Sequence, residues 1–207
     1  MQINVDNSNK GVDKIMEKYL IVGLGNPGKE YDNTRHQVGF MTIDLILKNL
    51  NLSLEKSQFN GSFVSYKESN KMIFVAKPMT YMNLSGEFIS QFIRYYDIPV
   101  ENVIVVYDDM DTKVGQIRIK PKGSCAGQNG MRNIIDLLHT ENVRRIKIGI
   151  GRPGIDYPHV NKKDFVLSKF SKEEQPTIQE ALKKAAMAAM EFPQIEFEKL
   201  MNKFNTK

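Results

Sequence analysis

The chain has 207 residues, 41% of them hydrophobic and 26% charged, which is the size and balance of one globular domain with a sizeable core. Lys and Arg outnumber Asp and Glu by 29 to 24, and the net charge of +5 is compatible with a polyanionic partner without identifying one. There is no apolar run of membrane-spanning length and no secretory signal, so we expect a cytoplasmic protein, and the single cysteine, Cys125, excludes an intramolecular disulfide.

The N-terminal part of the chain predicts a tail, a strand and a helix. Residues 1–17 are polar and lack apolar periodicity, so we predict a tail there and a single domain over residues 18–207. The apolar run at 18–24 predicts a buried strand whose end leads into a glycine-rich loop. From His36 the apolar residues recur at helical spacing, which predicts a helix to about Asn49.

The middle of the chain predicts a hairpin, a helix and two further strands. Residues 63–66 and 72–76 have the pattern of paired strands joined by a polar turn. Apolar residues at helical spacing predict a helix over 88–96, and the apolar run at 103–107 predicts a fully buried strand. Apolar and basic residues alternate at 117–120, which predicts a strand with one basic face.

The C-terminal part predicts a short helix at 134–138, a strand at 145–150 and a long polar loop at 152–164. A capping-box pattern at 171–174 predicts the start of an alanine-rich helix to about Met190, followed by a last short helix. Strands that alternate with helices over one domain predict an α/β three-layer sandwich. In this fold class helices cover both faces of a twisted, mixed but mostly parallel sheet.

The segment GLGNPG at 23–28 formally matches the GxGxxG motif that binds dinucleotides after a strand. The residues behind the motif argue against this function. Pro27 and a polar stretch delay the helix whose amide groups would meet a pyrophosphate. The acidic residue due about 20 positions further on falls near Asp44, inside a predicted helix. We therefore discount nicotinamide binding and expect no cofactor.

Four polar side chains stand at predicted element boundaries: Asn26, His36, Asn83 and Asp108. Strand ends on one edge of an α/β sheet are where ligands bind. An imidazole there can act as a general base, a carboxylate can fix its tautomer, and amides can hold water or an oxyanion without neutralising the base. Because the three histidines lack zinc-ligand spacing, we expect this chemistry to proceed without a metal.

At these positions the sequence resembles bacterial-type peptidyl-tRNA hydrolases. The resemblance spans about residues 18–200 and is carried, in the family's order and at similar spacing, by five stretches: GLGNPGKEYDNTRHQVGF (23–40), KPMTYMNLSG (77–86), VVYDDMD (105–111), GQNG (127–130) and IGIGRP (148–153). One stretch alone would be weak evidence, but five in register are specific. The resemblance implies hydrolysis of the ester between a peptide and the 3′-terminal ribose of tRNA, which releases tRNA for reuse in translation.

The resemblance also implies roles for single residues. His36 matches the family's catalytic base and Asp108 its partner, while Asn26 and Asn83 match active-site asparagines that place water and substrate. Positions that match substrate-binding residues are Tyr31 and Met82 for the peptide cleft, Asn129 for the peptide end, Lys120 for a tRNA phosphate, Arg118 beside it, and the similarly basic Arg145 and Lys147. We expect a monomer that acts on the acceptor region and peptide end of peptidyl-tRNA and needs no protein partner.

One position departs from the family pattern. The stretch at 127–130 has Gln128 where the family usually has His followed by Asn. A glutamine keeps an amide donor and acceptor but cannot become cationic, so any charge interaction at that position is lost. The departure concerns substrate handling around Asn129 and leaves His36 and Asp108 unchanged.

The asparagines also have simpler interpretations on local evidence. Asn26 begins the sequence Asn-Pro-Gly, in which each residue has an ordinary reason to form a turn. Asn83 and Asn129 each precede an apolar-periodic segment, so both are candidates for helix N-caps. Capping and a functional role are compatible, and the sequence leaves both open.

The acidic and basic candidates have alternatives as well. Asp109 and Asp111 compete with Asp108 for the orienting role, and only the resemblance favours Asp108. The basic residues at 118–122 are also what an exposed edge strand carries to discourage edge pairing. Two rival functions remain: an RNA-binding module without activity, and an esterase or protease acting on small molecules. Retention of the histidine, carboxylate and asparagine set favours an enzyme.

Overall fold

The computed structural model describes residues 15–205, which form a seven-stranded sheet covered by helices. The strands are β1 (Glu17–Gly23), β2 (Lys56–Gln58), β3 (Gly61–Glu68), β4 (Lys71–Pro78), β5 (Val103–Asp109), β6 (Ile117–Lys120) and β7 (Arg144–Gly149). The helices are α1 (Val38–Leu50), α2 (Ser85–Tyr96), α3 (Asn129–Leu138), α4 (Lys162–Leu167), α5 (Gln175–Glu191) and α6 (Phe197–Phe204). The predicted tail over 1–17 lies mostly outside the described residues and stays a prediction.

The strands lie in the order β2-β3-β4-β1-β5-β7-β6. The four central strands, β4, β1, β5 and β7, run parallel, whereas β2, β3 and β6 pair antiparallel at the two sides. The predicted mixed α/β sheet is therefore confirmed, with parallel pairing confined to its centre. Because parallel strands end at the same edge, the segments that follow β1, β4, β5 and β7 meet there.

Side-chain alternation along the strands builds a core on each face of the sheet. In β1, Ile21 packs on the face covered by α1, α5 and α6, while Leu20 and Val22 pack on the face covered by α2 and α3. All seven residues of β5 are buried, because this strand lies at the centre with helices on both sides. Within residues 15–205, none of the helices combines the length and apolar character that a membrane crossing needs.

Two glycines allow α1 to approach the sheet closely. A Cβ on Gly39, in the first turn of α1, would lie 2.3 Å from the carbonyl oxygen of Leu24 and 2.5 Å from that of Val106. A Cβ on Gly23, at the end of β1, would lie 2.3 Å from the carbonyl oxygen of Gly39. Only hydrogen fits at these positions, so the start of α1 packs directly on the ends of β1 and β5. The 3₁₀ turn Arg35–Gln37 that precedes α1 is thereby held over these strand ends.

The structure differs from the sequence-based prediction at 152–164, because the predicted loop ends in a helix. α4 begins at Lys162 and is capped by the side chain of Asn161, which accepts from the backbone N–H of Asp164 at 2.9 Å. β2 was also missed, since its three residues are polar. The capping box is confirmed: Ser171 N–H donates to Glu174 Oε2 at 2.7 Å, and Glu174 N–H donates to Ser171 Oγ at 3.3 Å.

Candidate active site

An imidazole and a carboxylate meet at the carboxyl edge of the sheet. Asp108 is the sixth residue of β5 and is buried, and His36 lies in the 3₁₀ turn held over that strand. His36 Nδ1 is 2.9 Å from Asp108 Oδ2, with 14% and 2% of the two side chains exposed. Both residues line a cavity of about 350 Å³. A ligand in this cavity can therefore reach the pair.

Two opposing effects act on the protonation of His36. Burial lowers the pKa of the imidazole, but the negative charge of Asp108 and its contact with the ring raise it, and together these place the pKa above the ordinary value of 6.5. The carboxylate also favours the tautomer with the proton on Nδ1. Nε2 is then the basic nitrogen, and above its pKa the ring can accept a proton from a bound water.

Asn26 follows β1 and is held by two neighbouring segments. Its backbone exchanges two hydrogen bonds of 2.7 Å with the side chain of Gln37, the residue after His36. Its Oδ1 accepts from the backbone N–H of Met82 at 2.7 Å. Among residues 15–205 its Nδ2 has no hydrogen-bond partner, and Asn26 lines the same cavity as His36. The side chain therefore offers an amide donor to a molecule bound there.

Gln128 completes the surroundings of Asp108. Its Oε1 accepts from the backbone N–H of Met131 at 2.7 Å, which makes Gln128 the N-cap of α3. Its Nε2 donates to Asp108 Oδ1 at 3.1 Å and lies 3.1 Å from Met82 Sδ. The cap fixes which end of the amide faces Asp108, so the two carboxylate oxygens contact different partners, His36 and Gln128.

The suggestion that asparagines cap the following helices was wrong at both places. Asn129 is the first residue of α3, after the cap at Gln128, and α2 follows Leu84 without a side-chain cap. Sequence reasoning did not find the role of Gln128, because glutamine is not among the favoured N-cap residues.

The structure brings some of the candidate residues together and leaves others apart. The candidates that line the cavity are Asn26, His36, Asp108 and Asn129. Met82 is buried behind them, where it contacts Asn26 and Gln128. Asn83 is exposed in the 3₁₀ turn Met82–Leu84, and Tyr31 is half-buried in the 3₁₀ turn Lys29–Tyr31. Neither Asn83 nor Tyr31 lines this cavity.

The two aspartates at the end of β5 face different partners. Asp108 contacts His36, whereas Asp109 Oδ1 is 3.1 Å from Lys147 Nζ and its Oδ2 accepts from Thr112 Oγ1 at 2.5 Å. Asp109 is thus engaged in holding β7 and the loop after β5. Lys147 is correspondingly paired within the protein.

Arg145, the other residue at a similarly basic position, is buried and does not present its cation at the surface. Its side chain is 2% exposed and donates to the backbone carbonyls of Val143, Ser124 and Glu141 at 2.9, 3.0 and 3.1 Å. In contrast, Lys120 is exposed at the end of β6, and Arg118 is half-buried on the same strand. From the pairing of β6 with β7 and of β7 with β5, Lys120 lies roughly 14 Å from Asp108 between Cα atoms.

Arg35, next to His36, is a buried cation that the sequence analysis did not single out. Its guanidinium donates to Glu174 Oε1 and Oε2 at 3.0 and 2.7 Å and to the carbonyl of Ile150 at 2.7 Å. It lies 4.5 Å from the ring of Phe165 in α4 and 4.6 Å from that of Phe170. These contacts fix the His36 turn to β7, α4 and the start of α5.

The helix α4 also lines the cavity, to which it contributes Lys162, Lys163, Val166 and Leu167. Within the part of the chain that the structure describes, no three His, Cys, Asp or Glu side chains come close enough together to bind a metal ion. The polar groups that line the site are the imidazole, the carboxylate, the amides and the lysines.

The α/β fold presents a histidine–carboxylate pair and an amide donor in one cavity, which are groups that a hydrolase uses for acid–base chemistry. The chain belongs to the peptidyl-tRNA hydrolase family, whose family model matches residues 20–207.

Similar proteins cover nearly the whole chain. A peptidyl-tRNA hydrolase of Ureaplasma urealyticum is 52% identical over 190 residues, which are 92% of this chain and 100% of that protein. One from Bacillus subtilis is 46% identical over 188 residues, 91% of this chain and 98% of that protein. The crystal structure of peptidyl-tRNA hydrolase from Acinetobacter baumannii has a TM-score of 0.83 at 32% identity, and the match covers 93% of this chain and 97% of that one.

Proposed function

We propose that this protein hydrolyses the ester between a peptide, or an N-blocked amino acid, and the 3′-terminal ribose of tRNA, with His36 as the general base. The observation that carries the assignment is the contact of 2.9 Å between His36 Nδ1 and Asp108 Oδ2 inside a cavity. Both rival functions lose support on this geometry. An RNA-binding module has no need of a buried imidazole–carboxylate pair. An enzyme for small esters has no need of the basic strand end at Lys120.

The reaction follows from the positions of the groups. Nε2 of His36 removes a proton from a water molecule, whose oxygen attacks the ester carbonyl, and Asp108 stabilises the imidazolium that forms. The Nδ2 amide of Asn26 donates to the oxyanion of the tetrahedral intermediate, with Asn129 at the cavity lining beside it. When the C–O bond breaks, the ribose oxygen takes the proton from His36, which restores the base.

The candidates outside the cavity act on the parts of the substrate that extend from it. Asn83 helps to place the water and the substrate, and Tyr31 contacts the peptide. Met82 is buried, and its contacts hold Asn26 and Gln128 in position. Lys120, with Arg118 beside it, holds a phosphate of the tRNA acceptor region, since its distance from Asp108 places it beyond the reacting nucleotide. The protein acts as a monomer in the cytoplasm, where its substrate is formed.

Single-turnover cleavage of an N-blocked aminoacyl-tRNA tests the role of His36. His36→Ala is expected to slow the release of free tRNA by about 10²- to 10⁴-fold, because general-base help of this size is lost. His159→Ala, which removes an exposed histidine outside the cavity, serves as the matched control and should cleave at the wild-type rate. A folded His36→Ala protein with near-normal cleavage would refute the assignment.

A further inference from the structure

The helix α4 adds to the cavity two positive charges that the proposed mechanism does not use. Lys162 and Lys163, the first residues of α4, line the cavity that contains His36 and Asp108. Neither lysine has an ion-pair partner among residues 15–205. Lys162 also lines an adjoining cavity of about 320 Å³, which shares Met110 and Gly127 with the first.

The charges around these two cavities leave the lysines without a protein counter-ion. The carboxylates in the two linings are Asp108, which is engaged by His36 and Gln128, and Asp111. The third cation there, Arg152, is paired with Asp156 at 2.7 Å. A ligand that enters the cavity therefore meets an excess of positive charge on the α4 side, which favours an anionic group.

The position of the two lysines relative to His36 is fixed by the fold. The ring of Phe165, in the next turn of α4, is 2% exposed and lies 4.5 Å from the guanidinium of Arg35. The backbone N–H of Arg35 donates to the carbonyl of Ser168, just after α4, at 2.9 Å. Since Arg35 directly precedes His36, α4 and the base are parts of one packed unit. The helix that carries the two lysines is thus held beside the turn that carries the base.

We propose that Lys162 and Lys163 hold the phosphodiester nearest to the scissile ester, which links the last two nucleotides of the tRNA. This inference rests on the proposed function. Every peptidyl-tRNA carries that phosphate one nucleotide from the reacting carbonyl, whereas charges on the peptide vary. Lys120, roughly 14 Å from Asp108 between Cα atoms, contacts a more distant phosphate. The two basic groups therefore recognise different parts of the same strand.

Three N-acetylaminoacyl esters separate these roles: one of adenosine, which has no phosphate, one of the dinucleotide CpA, which has only the adjacent phosphodiester, and one of tRNA. Lys162→Ala/Lys163→Ala is expected to lower kcat/KM by about tenfold on the CpA and tRNA esters, because charge-assisted contacts are lost, and to match the wild type on the adenosine ester. Lys120→Ala should lower kcat/KM on the tRNA ester alone.

The matched control is Lys48→Ala/Lys199→Ala, which removes two exposed lysines from α1 and α6 outside both cavities. It should behave as the wild type on all three esters. The proposal is overturned if the kcat/KM of Lys162→Ala/Lys163→Ala falls equally on the adenosine ester, or if it does not fall on the CpA ester. A wild type that cleaves none of the esters would instead refute the proposed function.

Discussion

Gln128→Glu exchanges one NH₂ group for an oxygen and leaves the size of the side chain unchanged. The carboxylate can still cap α3, but the donor to Asp108 Oδ1 is replaced by a negatively charged oxygen about 3.1 Å away. At an effective dielectric constant of about 20, two such charges repel by roughly 5 kcal/mol. The positive end of α3 offsets about 1 kcal/mol of this, so roughly 4 kcal/mol remains.

Protonation removes that repulsion. Holding a proton at pH 7 on a carboxyl with an ordinary pKa of about 4.3 costs roughly 3.7 kcal/mol, which is comparable with the repulsion. The pKa of the introduced carboxyl is therefore raised in the folded state only, and the folded protein binds more protons than the unfolded chain. Stability must then fall as pH rises above about 4.3, by up to about 1.4 kcal/mol per pH unit, until about neutral pH.

Urea unfolding of the variant and the wild type from about pH 5 to about pH 8 measures this slope. Gln128→Ala is the control: it loses both the cap and the donor, which lowers the free energy of unfolding by roughly 2–4 kcal/mol with no added pH dependence. If Gln128→Glu showed the same pH dependence as the wild type, the amide of Gln128 would not face Asp108, and the reasoning about this contact would be refuted.

The remaining predictions concern His36 and Arg35. Since the pKa of His36 lies above 6.5 and the base acts when neutral, kcat/KM should fall as pH drops through a midpoint above 6.5. Asp108→Asn should move that midpoint to a lower pH, because burial, which lowers the pKa of the imidazole, is then no longer opposed by the carboxylate. A wild-type midpoint under 6.5 would contradict the pairing. Arg35→Met leaves the Glu174 carboxylate without its cation, which should cost about 3 kcal/mol and lower Tm by roughly 6–12 °C. Arg35→Met/Glu174→Gln should recover most of the loss in thermal denaturation, and equal Tm values for the two variants would exclude an ion-pair origin.

Apolar periodicity was sufficient to predict most of the helices and strands. β5 is apolar along its length because helices cover both its faces, and the hairpin of β3 and β4 has a polar turn where Ser69 adopts φ 55°. The two missed elements lack such a pattern. β2 is held by backbone pairing with β3 rather than by buried side chains, and α4 buries only Phe165. Elements that depend on a partner elsewhere in the chain leave little local signal.

Some residues of the candidate site could be predicted from the sequence and others could not. The motifs indicated His36 and Asp108, and the structure places them in contact. The roles of Gln128 and Arg35 depend on partners 20 to 139 positions away, such as Asp108 and Glu174, which no local pattern specifies. For Arg145 the sequence indicated a role that the structure does not support. Its sequence position indicated a phosphate contact, but a guanidinium is satisfied equally well by backbone carbonyls inside the protein.

The absence of a side chain at position 39 allows the turn that carries His36 to lie close to β5. Any Cβ there would collide with the carbonyl oxygens of Leu24 and Val106, and relief of the collision would lift the start of α1, together with the turn that carries His36, away from β5. A homologue that retains the imidazole and the carboxylate but has a larger residue at this position would then keep the fold and lose the contact between the two groups. Such a protein would be an inactive member of the family. Inspection of this one glycine thus becomes a criterion for separating active members from inactive ones in sequence surveys.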